Sequence, residues 1–120
     1  MMSQRPDFAN SPRVRSMAIY KRYFDLIASG EKSIEVRVAY SSMQRIKAGQ
    51  YLKFTCRNEE CLTEVLRVAR YDDFDEMFAH EDASAINPYA GADEQLREIR
   101  RIFPADKERL GAIAIEVRRV

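Results

Sequence analysis

At Gly30 the apolar period of this chain switches from about 3.6 residues to about 2, and that switch limits what the chain can fold into. Before the glycine, Tyr20, Tyr23, Phe24 and Ile27 recur at helical spacing. They predict a helix of about ten residues with glycine as its C-terminal stop. After it, Ser33, Glu35 and Arg37 alternate with Ile34, Val36 and Val38. This is a strand with one aliphatic face and one face carrying a hydroxyl, a carboxylate and a guanidinium.

The rest of the chain keeps the same mixed character. Val14 to Ile19 is a short apolar stretch read as a first strand, and Tyr40 to Lys47 is a polar turn or helical stretch. Ala48-Gly49-Gln50 turns the chain into an alternating strand from Tyr51 to Thr55. Arg57 to Glu60 reads as a hairpin loop before a strand from Cys61 to Tyr71, whose two parities are both partly apolar. Phe74, Met77 and Phe78 open a short acidic helix and Asn87-Pro88 breaks the chain. Asp93 to Phe103 predicts a helix that buries Leu96, Ile99, Ile102 and Phe103. Pro104 ends that helix, Lys107 to Gly111 is a polar connection, and Ala112 to Val117 is a last strand. Several short strands joined by turns indicate an α+β chain built on a small mixed-to-antiparallel barrel of about five to six strands with flanking helices.

Composition bounds the function. With 120 residues, 46% of them hydrophobic and 32% charged, the chain suits one compact domain that buries its own core. Residues 1–16 read as a flexible leader reaching into the first strand, and 17–120 as the domain. No apolar run approaches the ~18 residues of a membrane span, and the first ten residues lack the apolar segment of a signal peptide. A cytoplasmic protein without a membrane role is the expectation. Cys56, Cys61 and His80 are too few for a structural zinc site, and the two cysteines are expected as free thiols. The acidic stretch from Asp72 to Asp82 lacks the ligand pattern of a calcium loop, so no metal and no cofactor is expected. The net charge of +1 argues against indiscriminate nucleic-acid binding. The average conceals a division: residues 1–70 hold 13 Lys and Arg against 7 Asp and Glu, whereas 71–120 hold 7 against 12. A basic cleft flanked by an acidic second half fits that division, as does an ordinary mixed surface.

At the period switch stands Gly30-Glu31-Lys32-Ser33-Ile34-Glu35-Val36-Arg37. It resembles the G-x-K-x-x-E-x-R signature of the ASCH domain (activating signal cointegrator homology), a small barrel similar to the PUA fold. The preceding Tyr23 to Ser29, the Ile46 to Phe54 segment, Tyr71 to Phe78 and the closing Leu110 to Glu116 resemble that family in the same order. The resemblance implies a curved sheet with a cleft where Lys32, Glu35 and Arg37 gather, and an association with RNA or modified nucleosides. One bacterial branch of the family deacetylates N4-acetylcytidine with the motif lysine and a threonine three residues later. Lys32 stands at that lysine, and Glu35 takes the threonine's place.

Each of these residues suits a stated chemistry. A cleft-facing Lys32 has its pKa lowered by partial burial and serves as activator or base. Glu35 accepts from an exocyclic amine or positions a water, and Arg37 binds a phosphate or carbonyl bidentately. The two also suffice as an ion pair that merely orients both side chains. Gly30 stands at the motif's glycine, and Ser33, of opposite strand parity to Lys32, is expected as a solvent-facing or hydrogen-bonding serine beside the ligand. Arg45, Lys47 and Lys53 are expected to extend a basic lip, with Tyr51 as a stacking face. The first reading is therefore recognition of RNA or a modified nucleobase, weakening with salt but not vanishing. The enzymatic alternative is an amidohydrolase on an N-acylated pyrimidine nucleoside, with Lys32 and Glu35 as its catalytic pair. A third reading is a protein-interaction module linked to transcription.

Overall fold

A computed structural model describes residues 14–120; most of the expected leader lies outside these residues. Five strands form one curled sheet in the order β1 (Val14–Ala18), β3 (Tyr51–Cys56), β4 (Glu59–Tyr71), β5 (Ala112–Arg119), β2 (Ile34–Val38). Only β1 and β3 run parallel; the other three pairings are antiparallel. The sheet curls without closing, since β1 and β2 are its two edges. The α+β class and the mixed, strongly curled sheet agree with the sequence reading.

Local sequence explains each element that positions the cleft. Helix α1 (Lys21–Ser29) buries Phe24 and Ile27 and ends at Gly30, which sits at φ 87° in the left-handed region that spares a residue without Cβ. The β3–β4 hairpin is tighter than the sequence suggested. Cys56 pairs with Glu59, so the loop is only Arg57 and Asn58, with Arg57 at φ 55°. Primed two-residue turns match strand twist, and extended pairing therefore continues through Glu59 and Glu60. Cys56 and Cys61 are free thiols, and Cys61 stands opposite Phe54. A register shift between Val65 and Arg67 bends the 13-residue β4 as it crosses the sheet.

The core lies on both faces of β5, the strand between β4 and β2. Ile113, Ile115 and Val117 join Met17, Phe24, Ile27, Leu52 and Phe54 beneath α1. Ala112 and Ala114 point the other way, and their small side chains leave room for Phe74 and Met77 of α2 (Phe74–His80), both fully buried. Burying each such large side chain stabilises the fold by about 1.5–3 kcal/mol. Asp73 caps α2 by accepting from the Glu76 N–H at 2.8 Å. Two one-turn helices stand where the sequence pattern indicates no separate element: α3 (Ala83–Ile86), capped by Asp82, and α5 (Ala105–Glu108), begun after Pro104. Between them α4 (Ala92–Ile102) lies with Ile99 in the second core cluster. No described helix is long and apolar enough to cross a membrane.

Candidate functional site

A cleft of about 530 Å³ opens where the edges β1 and β2 fail to pair, a volume within the ~300–1,000 Å³ usual for small-molecule sites. Its floor comes from β2 and the residues before it, one wall from the start of α1, and the other from α4 and the chain around Ile86. Arg37 ties the two edges of the open sheet: its guanidinium donates to the Ala18 carbonyl at 3.2 Å while its Nε donates to Glu35 at 2.7 Å.

Lys32 and Glu35 are both buried, at 4% and 6% exposure. The Lys32 ammonium donates to the carbonyl oxygens of Ile34 at 2.5 Å and Ile86 at 3.1 Å. It also lies 3.4 Å from the Glu35 carboxylate and 5.7 Å from the centre of the Tyr23 ring. Burial holds its pKa below the ordinary lysine value; the Glu35 charge works against that shift and Arg37 adds to it. One carboxylate thus sits between two cations, and the strand pair inferred from alternation is a partly buried triad. It is more than an exposed ion pair: the Arg37 side chain is 23% exposed and Glu35 nearly enclosed.

The other sequence candidates fall outside the cleft lining. Gly30 serves as the helix stop, and Ser33 spends its backbone on Ala85 and Val117. Arg45 and Lys47 are exposed around a 3-10 turn (Met43–Arg45), and Lys53 pairs with Glu60 at 3.5 Å. Tyr51 and Lys53 stand beside Val14 and Ser16 at the start of β1, whereas the cleft uses its other end, from Ala18 to Tyr20. The expected basic lip and stacking tyrosine therefore do not border this cleft.

In their place the structure brings in residues that local reading left aside. Tyr23 and Arg22 face the floor from α1, and Arg22 is held by Glu98 at 3.0 Å and over the Tyr23 ring at 4.8 Å. From α4 come Glu94, Gln95, Glu98, Ile99 and Ile102. Gln95 is only 7% exposed; its amide nitrogen donates to Ala83, Asn87 and Ala90 carbonyls at 2.8, 3.0 and 2.8 Å. One signal for it was present: Gln95, Ile99 and Ile102 share the i, i+4, i+7 stripe that an amphipathic helix buries. Among the described residues no group of three or more His, Cys, Asp or Glu could hold a metal.

A curled five-stranded sheet, helix-flanked and opened at one seam, defines the PUA-like class. The ASCH domain profile matches residues 17–120, and the chain belongs to that family. No curated protein matches it. Among solved structures, a hypothetical protein determined by crystallography superposes with TM-score 0.82 at 25% identity, covering 89% of this chain and 99% of that one. A Pyrococcus furiosus protein solved by NMR gives TM-score 0.72 at 25% identity, covering 89% and 97%. An ASCH protein of Zymomonas mobilis shares the fold at TM-score 0.61 and 12% identity, covering 88% of this chain and 67% of that one. Membership is consistent with a role associated with RNA or nucleosides.

Proposed function

We propose that this ASCH domain recognises a single nucleobase, free or modified, in the cleft floored by Lys32, Glu35 and Arg37. The observation that carries the reading is the partly buried triad, with Glu35 ion-paired to both Lys32 and Arg37, at the base of a pocket of base-accommodating size. Buried charge is costly unless it is paired. Here the pairing leaves the remaining Arg37 N–H groups and Glu35 lone pairs preset for the donor and acceptor edges of a base. Tyr23, Phe78 and Phe103 supply ring surface in the same cleft. Calorimetric titration with a panel of nucleosides, N4-acetylcytidine among them, tests the reading. Arg37→Gln is expected to weaken binding at least about tenfold, the usual worth of a hydrogen bond to a charged group; unchanged affinity would overturn it.

The separation of 3.4 Å between the Lys32 ammonium and the Glu35 carboxylate supports a second, hydrolytic reading. Glu35 takes a proton from water as the water oxygen bonds to the acyl carbon of an N-acylated nucleoside, then returns that proton to the leaving nitrogen as the acyl C–N bond breaks, releasing a carboxylic acid and the exocyclic amine. Because its ammonium is engaged by two carbonyls and Glu35, Lys32 orients the base. Mass spectrometry of acyl loss tests this: Glu35→Gln should bind and not turn over, and equal turnover would exclude the mechanism.

A further inference from the structure

The cleft reaches both faces of one strand. Glu35 and Arg37 line it from one face of β2, and Val36, packed against the second core cluster as Phe78 and Phe103 are, lines it from the other. A cavity that touches both faces of an edge strand passes across the edge itself, so the peptide groups along that edge border it. The ladder to β5 decides which of them point there. Val117 N–H donates to the Ser33 carbonyl at 2.8 Å, and Ala39 N–H to the Gly111 carbonyl at 2.8 Å. With Ile34 opposite Glu116 and Val38 opposite Ala112, residues 33, 35, 37 and 39 turn their N–H and C=O groups to β5. Ile34, Val36 and Val38 therefore turn theirs to the free edge. Most of that edge is already taken. The Ile34 carbonyl accepts from the Lys32 ammonium and the Val38 carbonyl from the Tyr40 N–H at 2.9 Å, while on the opposite lip the Ala18 carbonyl accepts from Arg37. Among the described residues of the β2 edge, only Val36 keeps its N–H and its C=O both without a partner.

An added peptide strand needs such donor and acceptor pairs at alternate residues. One residue of open edge is too little for it, and Arg37, bridging to Ala18, blocks a strand running along the seam. One planar ring needs no more than this. We infer that the main chain of Val36 reads the ligand, its N–H and C=O pairing with an adjacent acceptor and donor on the edge of a nucleobase. The inference rests on the reading that the cleft takes a nucleobase, and it deepens that reading by naming the part of the base that is held. A base bonded to the strand edge continues the plane of the sheet. Tyr23 of α1 then lies to one side of the ring, and Phe78 and Phe103 lie to the other. The Watson–Crick edge of each common base carries an adjacent donor and acceptor, and it is open only when the base is unpaired. The ligand is accordingly a nucleoside or a single-stranded nucleotide whose Watson–Crick edge carries no methyl group.

Amide NMR of the labelled full chain, joined to calorimetry, tests this. In the free protein the Val36 amide should exchange with solvent faster than those of Glu35 and Arg37, which the ladder holds; equal protection would overturn the assignment of the edge. The ligand probes are uridine with 3-methyluridine, and cytidine with N4,N4-dimethylcytidine, pairs in which methylation removes the donor from the Watson–Crick edge. The unmethylated member should bind at least about tenfold more tightly. Its binding should also shift the Val36 amide resonance and slow the exchange of that amide. An ester in place of the peptide bond between Glu35 and Val36 deletes the Val36 N–H and keeps every ladder donor. It should weaken binding of the unmethylated probe about tenfold while the cooperative melting transition persists. Methylated probes binding as tightly, a bound nucleoside that leaves the Val36 amide unmoved, or a folded ester variant of undiminished affinity would each overturn the role of Val36. The nucleobase reading would survive those results. Absence of binding by all four probes would instead remove that reading, and this inference with it.

Discussion

Replacing Glu35 by Gln tests how strongly the triad is coupled. The carboxylate bonds Arg37 at 2.7 Å and faces the Lys32 ammonium at 3.4 Å, with the Lys32 side chain 3% exposed. Stripping one partner from a buried pair costs about 3–5 kcal/mol, because the other charge is left without compensation. The lower end applies here: glutamine keeps a carbonyl for Arg37, whose side chain is 23% exposed, and Lys32 keeps its two backbone acceptors. A loss of about 3 kcal/mol, roughly 10 °C in melting temperature for a chain of this size, is expected by urea unfolding at pH 7. The loss should depend on pH with a definite sign. Lys32 already titrates below its ordinary value through burial, and Glu35 is the chief influence opposing that. The variant therefore lowers the lysine pKa further. A lysine whose folded pKa is depressed binds fewer protons folded than unfolded, so stability rises with pH between the folded value and the unfolded one. The variant gains more over that interval, and the difference from the wild type should be smaller at pH 10 than at pH 7. Adding Lys32→Met to Glu35→Gln should recover part of the loss beyond additivity. A loss under about 1 kcal/mol, the same at both pH values, would refute the claim that these charges depend on each other.

Three further outcomes follow from the packing. Gln95→Leu removes the side-chain donor shared by the Ala83, Asn87 and Ala90 carbonyls; the first two keep backbone N–H partners, so the loss in urea titration should be about 1–3 kcal/mol, the cost of one buried acceptor left unmet. Gly111→Ala should cost more than Gly30→Ala, which is worth about 1 kcal/mol for its left-handed backbone. Both sit at positive φ, but a Cβ at Gly111 meets the Tyr71 carbonyl at 3.0 Å while one at Gly30 meets nothing within 4 Å; equal melting points would contradict this. The paired hydrogen bonds from Arg67 hold the Glu81 carboxyl below the usual carboxylate range. Its stabilisation is complete above the ordinary glutamate value, about 4.3, and is lost as pH falls through the lower folded value. Glu81→Gln should accordingly flatten the acid limb of the stability curve measured by denaturant titration.

The sequence disclosed what local rules control. Gly30 ends α1 as its αL preference requires, the strand after it follows the alternation of Ile34, Val36 and Val38, and α4 buries the Ile99 stripe read from its spacing. The Glu35 and Arg37 pairing was visible as two polar residues sharing a strand face. Its burial was not, because enclosure comes from α1 and α4, brought up from elsewhere in the chain. For the same reason Arg45, Lys47 and Lys53 read as a basic lip by charge and proximity in sequence, while the sheet register sets Lys53 beside Ser16, away from the cleft end of β1, and Arg45 and Lys47 stay exposed outside the cleft lining. The one-turn helices α3 and α5 are too short to show a period, and Asp82 at the N-cap of α3 was their sole local mark.

The seam between β1 and β2 also has a history in time. Its lips lie at Ala18 and Arg37 and its back wall between Ile86 and Phe103, so the cleft is assembled from remote parts of the chain, whereas β3 and β4 meet across two residues. Remote closure forfeits more chain entropy before any contact compensates for it. Loop-closure entropy accordingly predicts that the hairpin forms ahead of the cleft during refolding and that partial opening reverses that order, which pulse-labelled hydrogen exchange would check. A population of this protein with its sheet largely intact can therefore be blind to its ligand, and ligand binding is itself a way of holding the last-formed part of the molecule in place.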